Sequence, residues 1–136
     1  MKALILDASV LVYAAGGQHP QREPSRWILR QGIAGNLILH ASVEAVLEFV
    51  HHRLRRGDEA AVGRARELSR LLTLHPFDGR VLDLSLDLIA SSRVRGRDAV
   101  HAATALLAGF DAIVSTDTDF DGVPGLRRID PADLPD

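Results

Sequence analysis

The chain has 136 residues, of which 46% are hydrophobic and 25% are charged, a composition that excludes a disordered or fibrous protein. Because the chain has no cysteine, disulfides and cysteine zinc sites are excluded. No apolar run approaches the ~18 residues of a membrane span. The formal net charge of −2 argues against a nucleic-acid ligand unless bound cations neutralise the acids. We therefore expect a single cytoplasmic domain over residues 1–136, with no membrane segment.

In chain order, periodicity and turn residues predict a strand at 3–6, helices at 10–15 and 25–31, a strand at 37–39, helices at 43–56 and 59–72, a brief strand at 74–77, helices at 80–92 and 99–108, a strand at 112–116 and an edge strand at 127–129. Strands that alternate with helices favour right-handed crossovers. The predicted fold is therefore α/β, with a short central parallel sheet flanked by helices.

The helix predicted at 43–56 carries two stripes of side chains. The apolar stripe consists of Val43, Leu47, Val50 and Leu54, and the polar stripe of Glu44, Glu48, His51 and Arg55. Glu44 and Glu48 lie one turn apart on the same polar stripe. Helix geometry therefore does not choose between these two glutamates as a functional acid.

Two predicted strands end on aspartates, Asp7 and Asp117. Sites in parallel sheets form just outside the carboxyl ends of the strands, so the two acids are placed where a site would form. A cluster of like charges also needs a neutralising partner. Asp7 and Asp98 each have an ordinary alternative interpretation as caps of the helices that follow them.

Other metal and cofactor motifs are excluded or weak. The acids from Asp117 to Asp121 resemble a calcium loop, but the twelfth position holds Arg128 instead of glutamate. A di-iron bundle needs a second copy of the Glu48–His51 pair, and a zinc protease needs H-E-x-x-H; neither is present. We therefore interpret the histidines as partly buried or surface residues rather than ligands: His51, His52 and His101. Phosphate-binding glycine motifs are also absent.

Four segments in order resemble the PIN-domain ribonucleases, especially the VapC-like toxins of bacterial toxin–antitoxin pairs. They are the run Ile5 to Leu11, Ser42 followed six residues later by Glu48, Arg97-Asp98 leading into His101 to Leu106, and Ser115 to Phe120. The order, spacing and overall length agree over essentially the whole chain. The resemblance implies a single PIN-like domain.

The resemblance also implies a catalytic site. Its catalytic acids fall on Asp7, Glu48, Asp98 and Asp117, and its metal ligands on Asp7, Asp98, Asp117 and Asp119. The spacing from Ser42 favours Glu48 over Glu44. The hydroxyl residues Ser9 and Thr116 match positions that would hold the carboxylates in place. Independently, an all-oxygen donor set suits Mg²⁺ or Mn²⁺. Together with the resemblance, it predicts a metal-dependent endoribonuclease.

The partners implied by the resemblance are an RNA substrate, a second copy in a homodimer and a cognate antitoxin whose tail blocks the active-site groove. Arg93, Arg95 and Arg97 precede Asp98 and could bind the phosphate backbone, although a solvated turn explains them equally well. Two alternative functions are a catalytically weak RNA- or protein-binding module of the same fold and an aspartate-based phosphohydrolase. The latter would need a second aspartate where Ser9 stands.

Overall fold

The computed structural model describes residues 2–134. The strands are β1 (Lys2–Ile5), β2 (Leu37–Ser42), β3 (Thr73–His75), β4 (Ala112–Val114) and β5 (Arg127–Ile129). The helices are α1 (Ala8–Ala15), α2 (Arg22–Ile33), α3 (Val43–Arg55), α4 (Ala61–Leu71), α5 (Gly79–Ser91) and α6 (Gly96–Leu107). Single 3₁₀ turns follow at Thr118–Phe120 and Pro131–Asp133. Within residues 2–134, no helix is long and apolar enough to cross a membrane.

The strands run parallel in the order β3-β2-β1-β4-β5. Ladders connect β1 with β2, β2 with β3, and β4 with β5. A parallel bridge between Leu6 and Val114 joins the two halves, and the backbone N–H of Asp7 donates to the Val114 carbonyl at 2.9 Å. All carboxyl ends therefore meet at one edge of the sheet, which confirms the α/β fold with a central parallel sheet.

Helices cover both faces of the sheet because neighbouring side chains of a strand point to opposite sides. Leu4 and Leu6 pack in one apolar cluster with side chains of the first four helices. Ile5, between them, packs in a second cluster with side chains of α5 and α6. Burial on both faces explains why β1 reads as a continuous apolar run instead of an alternating one.

Helix α6 begins at Gly96, three residues earlier than predicted. Gly96 has a φ of 52°, in the left-handed region that favours glycine. Arg95 is the N-cap and its side chain makes no capping hydrogen bond. Asp98 lies in the first turn, so its alternative interpretation as the helix cap is wrong.

Helix α3 buries a different face from the apolar stripe read in the sequence. Its buried residues are Ala45, Val46 and Phe49. Leu47 is 50% exposed and Leu54 is 49% exposed. The small Ala45 and the large Phe49 fit against the core, with Val50 partly buried beside them, which leaves the other three residues of the apolar stripe at the surface.

Candidate active site

Four acids from distant parts of the chain meet in one cleft at the carboxyl edge of the sheet. The cleft has a volume of ≈860 Å³ and its lining includes Asp7, Glu48, Asp98 and Asp117. Asp7 follows β1, Glu48 is in the middle of α3, Asp98 is in the first turn of α6 and Asp117 follows β4. Asp119 does not line the cleft: its side chain is exposed, and its backbone N–H donates to Asp117 Oδ1 at 2.9 Å.

Asp7 is the most buried of the four acids, with 2% of its surface exposed. Its Oδ2 accepts the hydroxyl of Ser115 at 2.8 Å and the backbone N–H of Ser9 at 3.3 Å, which makes Asp7 the N-cap of α1. Its Oδ1 is buried and has no hydrogen-bond partner. A buried oxygen of this kind is costly unless a cation or a water completes it.

Two serine hydroxyls connect the ends of β1 and β4. Ser115 Oγ accepts the backbone N–H of Asp117 at 3.0 Å while donating to Asp7, so it links the two strand-terminal acids. Ser9 Oγ accepts the backbone N–H of Thr116 at 3.2 Å. Thr116 thus takes part through its backbone, and Ser115 is a site residue that the sequence interpretation missed. The sequence signal for Ser115 was its position two residues before Asp117, directly after the strand.

His101 is buried against the acids rather than lying at the surface. It is 1% exposed, and its Nε2 lies 3.3 Å from Glu48 Oε1 and 3.8 Å from Asp7 Oδ1. Its Nδ1 lies 2.8 Å from the hydroxyl of Ser42. The sequence signal was its spacing: His101 follows Asp98 by three residues, which puts both on one face of α6.

The charges in the cleft shift one another's pKa values. Burial and the carboxylates of Asp7 and Asp117 raise the pKa of Asp98 to about 7. Burial opposes ionisation of Glu48, but the hydrogen bond with His101 and the charges of His101, Arg97 and His52 together outweigh it and lower the pKa of the glutamate. Burial alone would lower the pKa of His101, and the neighbouring Glu48 and Asp7 raise it instead.

The donor atoms fit a divalent metal ion. One oxygen each of Asp7 and Asp98 lies within 4.8 Å of the other and of a ring nitrogen of His101. The unpartnered Asp7 Oδ1 and the raised pKa of Asp98 both indicate negative charge in need of a cation. Because carboxylate oxygens dominate the set, a hard ion suits it best.

The three arginines before Asp98 have different environments. Arg95 Nη1 donates to the carbonyl oxygens of Ile89, Ser92 and Val94, so it holds the end of α5. Arg97 lies close enough to Glu48 to contribute to the lowered pKa of that acid. Arg93 is exposed, and none of the three arginines lines the cleft.

The chain is similar in sequence and in fold to known proteins. The family model of the PIN domain matches residues 4–126. Ribonuclease VapC7 of Mycobacterium tuberculosis is 35% identical over 121 residues, which cover 86% of this chain and 83% of VapC7. A DNA-bound VapBC structure from Salmonella typhimurium superposes with a TM-score of 0.74 at 16% identity, covering 96% of this chain and 99% of the other. A toxin–antitoxin complex from Klebsiella pneumoniae gives 0.72 at 19% identity, covering 94% and 97%.

Proposed function

This chain belongs to the PIN-domain family, and on that premise we propose that it is a divalent-metal-dependent endoribonuclease and the toxin of a toxin–antitoxin pair. The observation that carries the proposal is the convergence of four acids on one cleft, where Asp7 Oδ1 is buried without a partner. The relationship to ribonuclease VapC7 supports RNA as the substrate. The proposed RNA substrate supports a cytoplasmic location.

Asp7, Asp98 and Asp117 would hold the metal, with Mg²⁺ or Mn²⁺ favoured by the oxygen donors. When bound, the ion lowers the pKa of a coordinated water and stabilises the leaving oxygen of the phosphodiester. Asp119 remains a predicted further ligand that would have to turn in from the surface beside Asp117. Ser115 holds Asp7 and Asp117 in register through its hydroxyl.

Glu48 is the residue suited to act on the attacking water. Its pKa is held low, so it is ionised at neutral pH and can orient the water and accept its proton as the oxygen attacks phosphorus. Its hydrogen-bond partner His101 limits the positions that its carboxylate can take. The proton gained by Glu48 balances the one that the leaving oxygen takes from solvent.

An antitoxin partner is supported by the neighbouring structures, which are toxin–antitoxin complexes. A groove of ≈530 Å³ between α1, α2 and α4 offers it a surface separate from the cleft. Apolar side chains such as Leu29 and Ile33 line the groove together with Arg26, Arg30 and Arg64. We assign this groove to an amphipathic antitoxin segment with acidic residues, whose tail would reach on to block the cleft.

A homodimer is proposed from the exposed stripe on α3. Val43 is 38% exposed, and Leu47 and Leu54 are about half exposed. Apolar side chains grouped on one helix face favour burial against another protein surface. We assign this stripe to a second copy of the chain.

The alternative of an aspartate-based phosphohydrolase has no second acid beside Asp7. Ser9 occupies that position, and its hydroxyl accepts the backbone N–H of Thr116.

The alternative of a pure binding module is separated from a nuclease by experiment. Defined single-stranded RNA is incubated with the protein in Mn²⁺, Mg²⁺ or chelator, and new ends are mapped.

We expect cleavage that needs the metal and is lost in Asp98→Asn. The matched control is Asp83→Asn, since Asp83 is an exposed acid on α5 outside the cleft. Wild-type cleavage rates in chelator, or in a clean preparation of Asp98→Asn, would contradict the proposed function. RNA binding that is equal in chelator and in Mn²⁺, with no cleavage in Mn²⁺, would favour the binding module.

A further inference from the structure

The cleft that holds the acids continues into a region of different chemistry. Glu48 and His52 of α3, and Arg56, which caps its C-terminus, line the cleft at intervals of four residues. At 1.5 Å per residue, Arg56 lies about 12 Å along the helix from Glu48. On the opposite wall, Ser9 and Tyr13 of α1 are likewise one turn apart. The cleft therefore has an acidic end and a cationic, aromatic end.

The aromatic end contains a stacked pair of rings. The centroids of Tyr13 and His19 are 4.4 Å apart with an angle of 29° between the ring planes. His19 is exposed, and its Nδ1 accepts the backbone N–H of Gln21 at 3.1 Å. The ring of His19 is thus held on one face by Tyr13 and at its edge by the hydrogen bond from Gln21. A held aromatic face open to solvent is a platform for another flat ring.

The cationic side chains beside this pair are partly preorganised. Arg53 Nε donates to Asp58 Oδ2 at 3.0 Å, and Arg64 Nη1 donates to the same oxygen at 3.2 Å. One carboxylate thus faces two guanidinium groups, which leaves a net positive charge. Arg56 is exposed, and within residues 2–134 no acid lies at ion-pair distance from it. Guanidinium groups in such positions favour phosphate oxygens.

We propose that this end of the cleft binds the single-stranded part of the RNA next to the cleaved phosphate. An unpaired base stacks on the Tyr13–His19 pair, and Arg53 and Arg56 bind the phosphates that follow. In a duplex both faces of every base are covered by neighbouring pairs, so stacking on Tyr13 and His19 needs an unpaired base. The inference rests on the proposed function, because it assigns the residues that bind the substrate in the same cleft.

The first test measures binding without cleavage, so that its result does not depend on nuclease activity. Fluorescence anisotropy of a labelled, unstructured RNA is measured in chelator for the wild type and two variants of His19. His19→Asn keeps an acceptor for the Gln21 N–H but removes the ring, while His19→Phe keeps the ring and removes the acceptor. We expect binding to weaken by roughly tenfold in His19→Asn and to be retained in His19→Phe.

The controls separate stacking from structure. Phe77→Ala removes an exposed aromatic ring outside the cleft and should leave binding unchanged. A duplex of the same sequence should bind more weakly and be insensitive to His19→Asn. The proposal is overturned if the wild type does not bind the single strand, if the two His19 variants show the opposite order, or if the duplex binds as well as the single strand.

The second test addresses the phosphates through the salt dependence of binding. Arg56→Gln should reduce the slope of log affinity against log salt by about 0.7, the value for one phosphate contact on a single strand. Arg66→Gln, which removes an exposed charge on α4 outside the cleft, should leave the slope unchanged. Equal effects of both variants overturn the assignment. Equally tight binding of polyglutamate, lost in Arg56→Gln but not in His19→Asn, would identify an acidic peptide site instead.

Discussion

The hydroxyl of Ser42 lies 2.8 Å from Nδ1 of His101, and this contact leaves the other ring nitrogen, Nε2, directed at the acids. Ser42 Oγ already accepts the backbone N–H of Ala45 at 3.1 Å as the N-cap of α3. The carboxylate of Glu48 can only accept, so Nε2 carries a proton, and in the neutral ring Nδ1 then accepts the hydroxyl hydrogen of Ser42. The Nε2–H group donates to Glu48 at 3.3 Å. His101 is therefore a hydrogen-bond donor to Glu48.

Removing the donor of His101 should impair catalysis more than folding. Replacing His101 with phenylalanine keeps most of the ring volume but leaves Glu48 without its partner. We expect kcat to fall by about 10- to 100-fold, as for other residues that hold an active-site ligand in place, with little change in KM. Steady-state cleavage of a defined RNA measures both constants.

Two further variants give the control for His101. Thr104→Val removes a hydroxyl one turn away on the same buried helix face, where Thr104 donates to the Val100 carbonyl. It should leave kcat unchanged. His101→Gln restores a donor and should recover part of the lost activity. Equal losses in Thr104→Val and His101→Phe would show that packing of α6, and not the hydrogen bond, is responsible.

Loss of the Ser42 hydroxyl should affect both stability and activity. Ser42→Ala removes the N-cap of α3, which costs about 1 kcal/mol in the free energy of unfolding. It also frees His101 to place its proton on Nδ1, so we expect slower cleavage as well. Asp78→Ala provides the comparison, since Asp78 caps α5 through the backbone N–H groups of Arg80 and Val81.

Both variants remove a helix cap, but only Ser42 also contacts an active-site residue, His101. Chemical denaturation should show similar losses of stability in Ser42→Ala and Asp78→Ala, whereas cleavage should slow only in Ser42→Ala. Activity that falls in proportion to stability in both variants would refute the role of the serine in orienting His101.

Metal-free stability should fall as the pH rises, because the pKa of Asp98 is about 7 in the folded protein against an ordinary value of 3.8. Between these pH values the folded state binds more protons than the unfolded state, so stability is fully present below about pH 4 and is lost towards pH 7. Asp98→Asn removes this dependence. At pH 8 in chelator the variant should melt a few degrees above the wild type.

The same pair of proteins tests the metal site. Mn²⁺ should raise the melting temperature of the wild type at pH 8, because binding to the folded state alone stabilises it. Asp98→Asn should lose most of that rise, and Asp83→Asn should keep it. A wild type whose metal-free stability increases from pH 5 to pH 8 relative to Asp98→Asn would contradict the raised pKa.

The parallel fold could be read from the sequence because it depends on local signals: apolar runs, turn residues and the order of elements. The strand-terminal position of Asp7 and Asp117 followed from the same signals. Ser115 and His101 were missed because their roles come from residues 108 and 59 positions away, at Asp7 and Ser42. The buried face of α3 was also misread, since periodicity reveals an apolar stripe but not whether this chain or another protein covers it.

The exposed stripe of α3 and the groove between α1, α2 and α4 should separate self-association from antitoxin binding. Leu47→Glu places a charge on the stripe, so we expect it to shift the protein from dimer to monomer in light scattering. Ile33→Glu places the same charge in the groove, where Ile33 is 74% exposed, and should leave the dimer intact while weakening the antitoxin complex. Each variant is thus the control for the other. A dimer that survives Leu47→Glu, or an antitoxin complex that survives Ile33→Glu, would remove the corresponding surface from the proposed assembly.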